Sequence, residues 1–105
     1  MNDLNAFQRD ILYVLTELDQ PNGRLIEHTL RDYYGGDISH GRLYPNLNDL
    51  ADRGLIDKTR ADGSENTYSL TPDGRERLTE RREWERKVAD GVIEWWDHEF
   101  AAPTD

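Results

Sequence analysis

The chain has 105 residues, of which 35% are hydrophobic and 33% charged, enough for one small domain with a modest core beneath a mostly charged surface. It holds no cysteine, which removes disulfides, thiolate metal sites and thiol redox chemistry, and no apolar run of the ~18 residues that a membrane span needs. The formal net charge of -9 opposes nonspecific binding to nucleic acid, whose usual source is clustered lysine and arginine.

Leu4, Phe7, Ile11, Leu12, Leu15 and Leu18 recur at spacings of three and four and predict an amphipathic helix from Leu4 to Leu18. The turn residues of DQPNG, Asp19 to Gly23, break it. A second helix is expected from about Asn22 to Tyr34, with Ile26, Leu30 and Tyr33 inward. The GGD run from Gly35 ends it, because glycine accepts the left-handed conformation of a helix terminus. The third helix runs from a cap at Ser39 to about Arg53 and is closed by Gly54. Leu43, Leu47 and Leu50 keep register across Pro45, so one helix is predicted, bent or loosened in its first turns. Pro45 removes the hydrogen bond to the Gly41 carbonyl, and Gly41 has no side chain to crowd a bend.

LIDKT (Leu55 to Thr59) and NTYSL (Asn66 to Leu70) are predicted strands, and the Asp62-Gly63 pair between them signals a hairpin turn. Ile56 and Tyr68 can face the core, while Lys58 and Arg60 share one face of the first strand. Three helices followed by a hairpin make a winged helix-turn-helix, so the fold class is mainly α with a small β-hairpin. A last helix opens at TPDGRERL, with Thr71 as its cap and Pro72 at its first position. It continues to about Phe100, a length of ~40 Å at the α-helical rise. Its apolar members Leu78, Trp84, Val88, Val92, Trp95, Trp96 and Phe100 form a stripe longer than the winged helix covers, and the stripe asks for a second copy of itself. The expected division is residues 1–71 as the winged helix-turn-helix, 72–100 as a long C-terminal dimerisation helix in the same compact unit, and 101–105 as a frayed tail.

With these residues placed, the chain resembles the PadR-type winged-helix transcriptional regulators. The resemblance rests on ISHGRLYPNLNDLADRGLID (Ile38 to Asp57), with Leu-Tyr-Pro at Leu43 to Pro45 and then Leu47, Leu50, Gly54 and Leu55, which is similar to that family's recognition helix. It continues through NTYSLTPDGRERL (Asn66 to Leu78), similar to the wing strand and the opening of the last helix. The resemblance implies a homodimeric DNA-binding repressor or activator that dimerises through the C-terminal helix, aided by the N-terminal one, and some relatives bind planar small molecules at that interface. The dimer contacts expected on this basis are Leu4, Phe7, Trp84, Val88, Val92, Trp95, Trp96 and Phe100. A stacked aromatic ligand is the alternative use of the tryptophans. The chain departs from the family pattern in its acidity and in having a single helix where the family has a longer C-terminal helical region.

In the third helix the buried leucines turn His40, Arg42, Tyr44 and Asn46 wholly or partly outward. Arginine can pair bidentately with guanine and asparagine with adenine in a major groove. Ser39 and the first N–H groups of the helix can hold a phosphate, or Ser39 only caps and Tyr44 only packs. In the wing, Lys58 and Arg60 can reach phosphate or a minor groove, or they are surface charge balanced by Asp57, Asp62 and Glu65. Arg24, near the start of the second helix, is a further phosphate candidate. Glutamates interleave the basic run from Arg75 to Lys87 at helical spacing, which favours an ion-paired, solvated face over a nucleic-acid site.

No nucleophile with a base, no phosphate loop and no metal motif is present, and His28, His40 and His98 lie far apart in sequence, so neither an enzyme nor a cofactor is expected. Two lysines against eleven arginines, with aspartate outnumbering glutamate, suit a surface that stays dissolved in concentrated salt. The sequence therefore predicts a cytoplasmic, dimeric, sequence-specific regulator of transcription adapted to high salt, bound to double-stranded DNA at a two-fold symmetric operator and to no membrane. The rival is an acidic winged-helix module that docks onto a basic protein and does not bind DNA.

Overall fold

Helix α1, Ala6–Glu17, starts where the Asn5 side chain accepts from the Gln8 N–H at 2.7 Å and the Gln8 side chain accepts from the Asn5 N–H at 3.2 Å. This reciprocal cap satisfies two N–H groups that the helix itself cannot bond. The structure, a computed structural model, describes residues 3–60 and 65–100, with side chains as far as residue 91. The Asp62-Gly63 turn signal and the 101–105 tail lie outside the described residues.

Helix α2, Gly23–Tyr34, is capped by Asn22, whose side chain accepts from the Leu25 N–H at 2.8 Å, and ends at Gly35, which has φ of 72°. Helix α3, His40–Asp52, is capped by Ser39 and runs unbroken through Pro45. The wing is an antiparallel pair of strands, β1 (Ile56–Arg60) and β2 (Asn66–Leu70), with Ile56 opposite Leu70, Lys58 opposite Tyr68 and Arg60 opposite Asn66. The turn ahead of α2 adds a further rung. Asn22 bridges Thr67, and the Pro21 carbonyl accepts from the Tyr68 N–H at 2.9 Å. The start of α2 is thereby fastened to the wing.

Helix α4, Pro72–Phe100, leaves the wing through Thr71. The Thr71 hydroxyl donates to the Gly54 carbonyl at 2.7 Å and accepts from the Gly74 N–H at 3.0 Å. A Cβ at Gly74 would collide with the Leu55 carbonyl oxygen, so glycine lets this first turn lie on the backbone that enters β1. One core joins these elements. Ile11, Leu12, Ile26, Leu30, Leu43, Leu47 and Leu50 have no exposed surface, and Tyr68 and Leu78 close it from the wing and from α4. Burying a side chain of this size contributes about 1.5–3 kcal/mol.

Three expectations change. Leu4 and Phe7, placed at a dimer interface by resemblance, are buried inside this one chain and have almost no surface left for a partner. Tyr33 does not point inward; it is 74% exposed because the last turn of α2 overhangs the core. Its neighbour Tyr34 instead stacks on Phe7, ring centroids 6.1 Å apart. Leu4 also precedes the α1 cap rather than lying within the helix.

The Tyr34 hydroxyl donates to the Asp10 carboxylate. Burial first, and then this hydrogen bond, push the phenol from 10.0 up to about 12. The folded state therefore holds this proton more tightly than the unfolded chain. The resulting stability is complete below pH 10, where the unfolded phenol is still protonated, and is lost as pH rises towards 12. In denaturant unfolding, the wild type should lose stability across that interval more steeply than Tyr34→Phe. Equal slopes would show that the fold does not hold the Tyr34 proton more tightly than the unfolded chain does.

Candidate nucleic-acid interface

The three buried leucines set the faces of α3. At about 100° per residue, the side opposite Leu43, Leu47 and Leu50 carries Gly41, Pro45, Asn48 and Asp52, all exposed. Gly41 and Pro45 give this ridge little bulk at its leading end, so the helix can approach a groove closely. Arg42 and Tyr44 occupy opposite flanks. The lost Pro45 N–H leaves the Gly41 carbonyl without its partner along the helix, on the same exposed ridge.

The flank towards α1 carries Arg42. Its guanidinium carbon lies 4.1 Å above the centre of the Phe7 ring and 5.9 Å from that of Tyr34. A cation held over an aromatic face is stabilised without being neutralised, and among the described residues Arg42 makes no ion pair. Asn46 is half-buried, with its amide donating back to the Arg42 carbonyl at 2.7 Å, so in this arrangement it braces the helix. Asp49, one turn beyond, accepts from the buried Gln8 amide at 2.7 Å and from Arg53 at 3.0 Å.

The flank towards α2 and the wing carries His40 and Tyr44, which meet edge to face with ring centroids 5.5 Å apart. His40 Nε2 lies 3.2 Å from Glu27 Oε1 on α2, within ion-pair distance, while Glu27 Oε2 accepts from Arg31 at 2.6 Å. The Tyr44 ring lies across Gly23, where a Cβ would strike the ring and its hydroxyl. Glycine at the start of α2 is what lets the ring seat there. Ser39 is engaged as a cap, its hydroxyl oxygen accepting from the Arg42 N–H at 3.2 Å.

In the wing, Lys58 donates to the Asn48 side chain at 3.1 Å and joins β1 to the exposed ridge of α3. The register places Lys58 opposite the buried Tyr68, on the same face as Ile56. The strand outruns the core, so the same alternation that buries Ile56 leaves Lys58 and Arg60 exposed. Arg24 is bound to Glu65 at 2.8 Å, and Asn22 also donates to Glu65 at 2.6 Å, so Arg24 clips the wing to α2. Asn48, Glu27 and Gly23 were not among the expected site residues. Asn48 was legible from the leucine register, whereas Glu27 and Gly23 act only through contacts with α3.

On α4, every residue from 82 to 91 is exposed, including Trp84 (52%) and Val88 (42%). Arg81 lies over the Trp84 ring at 4.5 Å and pairs with Glu85 at 3.2 Å. The helical backbone continues to Phe100, and the side chains of Val92, Trp95, Trp96 and Phe100 lie outside the described residues. Among the described residues no helix is long and apolar enough to cross a membrane, and no group of side chains is arranged to hold a metal ion.

Comparison with known proteins gives this geometry a context. RosR from H. salinarum, solved as a complex designated S1, is 37% identical, with a TM-score of 0.76 and a match covering 88% of this chain and 90% of that one. A PadR-like transcriptional regulator from Bacillus cereus shares the fold at 24% identity, with a TM-score of 0.68 over 85% of this chain and 89% of its own. The transcriptional activator GvpE of Haloferax mediterranei is 40% identical over 58 residues, which are 54% of this chain and 30% of GvpE. The chain thus spans less than a third of that curated relative. The model of the transcriptional regulator PadR-like family matches residues 11–80. The chain belongs to this family of transcriptional regulators, which are not enzymes.

Proposed function

We propose that the protein regulates transcription as a homodimer that reads a two-fold symmetric DNA site, each α3 entering a major groove and each wing touching the flanking backbone. The observation that carries this reading is the exposed ridge of Gly41, Pro45 and Asn48, flanked by Arg42 and Lys58, neither of which makes an ion pair among the described residues. Three neighbouring carboxylates are already engaged, Glu65 by Arg24, Glu27 by Arg31 and Asp49 by Arg53, while exposed Asp52 lies at the trailing end of the ridge, away from the entering turns. The chain is acidic as a whole, yet its reading edge retains cations. Arg42 is the base-reading candidate, Lys58 and Arg60 serve phosphate or a minor groove, and His40, Tyr44 and Asn46 support contacts at the entering turns.

The second copy is inferred from α4. Trp84 and Val88 stand exposed on a segment that has left the core. A groove of about 400 Å3 beside it exposes Tyr13, Val14 and Tyr33 among the carboxylates of Asp10, Glu17 and Glu85. The lysine-poor acidic composition, and similarity to RosR and GvpE, support work in a cytoplasm of high salt. There, cations taken up between protein and phosphate would offset the repulsion of two polyanions.

Replacing Arg42, Lys58 and Arg60 together by alanine should weaken binding to a duplex selected by the wild-type protein by at least about tenfold, since one good base pairing by arginine is worth ~1–3 kcal/mol. Unchanged affinity would favour the acidic interaction module instead. In light scattering under high salt, the wild type should have the mass of two chains and the double variant Trp84→Glu, Val88→Asp that of one. A wild-type monomer, or a double variant that stays dimeric, would remove α4 as the interface.

A further inference from the structure

A chain of polar contacts runs from the α1 cap through α3 to α4. Gln8 is the only buried polar side chain among the described residues, at 4% exposure, and it is used at both ends. Its oxygen completes the α1 cap, and its amide donates to Asp49 on α3 at 2.7 Å. Asp49 also accepts from Arg53 Nε at 3.0 Å. Arg53 then donates from Nη1 to one oxygen of Asp3 at 3.2 Å, while Arg77 of α4 donates to the other oxygen at 2.8 Å. The Asp3 carboxylate is therefore shared by the end of the reading helix and the base of the dimerisation helix.

We propose that Asp3 is a positioning residue that fixes the angle between α3 and α4, and so sets the spacing between half-sites at which the dimer reads DNA. This inference rests on the dimeric DNA reading above and deepens it. Its force comes from leverage. From Arg77 to Phe100 the helix extends ~35 Å at 1.5 Å per residue, so a tilt of about 5° at its base moves the far end by about 3 Å, close to the 3.4 Å rise of one base pair. Thr71 bonds the Gly54 carbonyl where α4 begins and Leu78 packs its first turns on the core, but the first contact lies ahead of the helix and apolar packing has no direction. Two N–H···O contacts to one carboxylate do, since each weakens steeply as it leaves alignment.

The contacts also suit concentrated salt. At 2.8 and 3.2 Å they are comparable with the screening length of ~3 Å at molar ionic strength, so salt screens them less than longer-range charge pairs. The Arg77 guanidinium beside Asp3 holds its carboxyl below the usual carboxylate range, so it stays charged into acid.

The test selects duplexes from a random pool with the wild-type protein in molar potassium chloride. Affinity is then measured for the selected duplex and for versions with one base pair added to or removed from the centre. Asp3→Asn should keep its thermal unfolding transition and dimeric mass but lose about 3- to 10-fold of its preference for the selected spacing, the coupling typical of neighbours in one network. Asp3→Glu should restore part of that preference. Adding Arg77→Gln to Asp3→Asn should bring little further loss, since both act through one contact. An Asp3→Asn protein with an undiminished preference for spacing would overturn the proposal, as would strictly additive losses. If the wild type enriches no duplex, or enriches duplexes with no fixed spacing, the dimeric DNA reading itself fails, and that failure is visible before any variant is made.

Discussion

The burial of Leu43, Leu47 and Leu50 governs the rest of this molecule. All three have no exposed surface, and each contributes about 1.5–3 kcal/mol by leaving water. Turning α3 to present a different face would cost more than any surface ion pair recovers. That register puts Gly41, Pro45, Asn48 and Asp52 outward, Arg42 towards Phe7 and Tyr44 towards Gly23. The other elements then hold each flank: α1 through Gln8 and Asp49, α2 through Glu27 and His40, and the wing through Lys58 and Asn48.

The same arrangement explains how so acidic a chain can present a cationic edge. Charge is managed locally, not by composition. Glu65, Glu27 and Asp49 beside α3 are occupied by Arg24, Arg31 and Arg53, Asp52 lies at its trailing end, and Arg42 rests on an aromatic ring, which keeps its charge available. An exposed ion pair stabilises a fold little, but under the proposed DNA reading these pairs would keep three acidic groups from facing a phosphate backbone. In the proposed dimer α4 would join two such edges, and Asp3 ties the base of α4 to the end of α3.

Much of the fold was legible from spacing and turn chemistry. Six elements followed from leucine periodicity, the Ser39 and Thr71 caps, the glycine terminus after Tyr34 and the alternation in the hairpin. The α1 boundary was legible too, since the Asn5 and Gln8 spacing is that of a reciprocal cap, but the periodic Leu4 drew the predicted helix past it. Tyr33 failed because periodicity gives a direction and not the edge of the core. The site was legible in its outward residues and not in its ties. Gln8 with Asp49, Asp3 with Arg53 and Arg77, and Tyr44 with Gly23 join residues distant in sequence, and only the packing of four helices brings them together. The Leu4 and Phe7 expectation came from resemblance alone, and the chain's own core takes both.

The central claim is that an acidic protein reads DNA in concentrated salt through a locally cationic α3 edge. It is tested most directly by titrating the affinity of the wild-type dimer for its selected duplex against potassium chloride, from low to molar concentration. The account predicts an affinity that stays level or rises as salt is added, because cations must join the complex. A steep linear fall of log affinity with log salt concentration, the signature of counterion release from phosphates met by lysine and arginine alone, would contradict it.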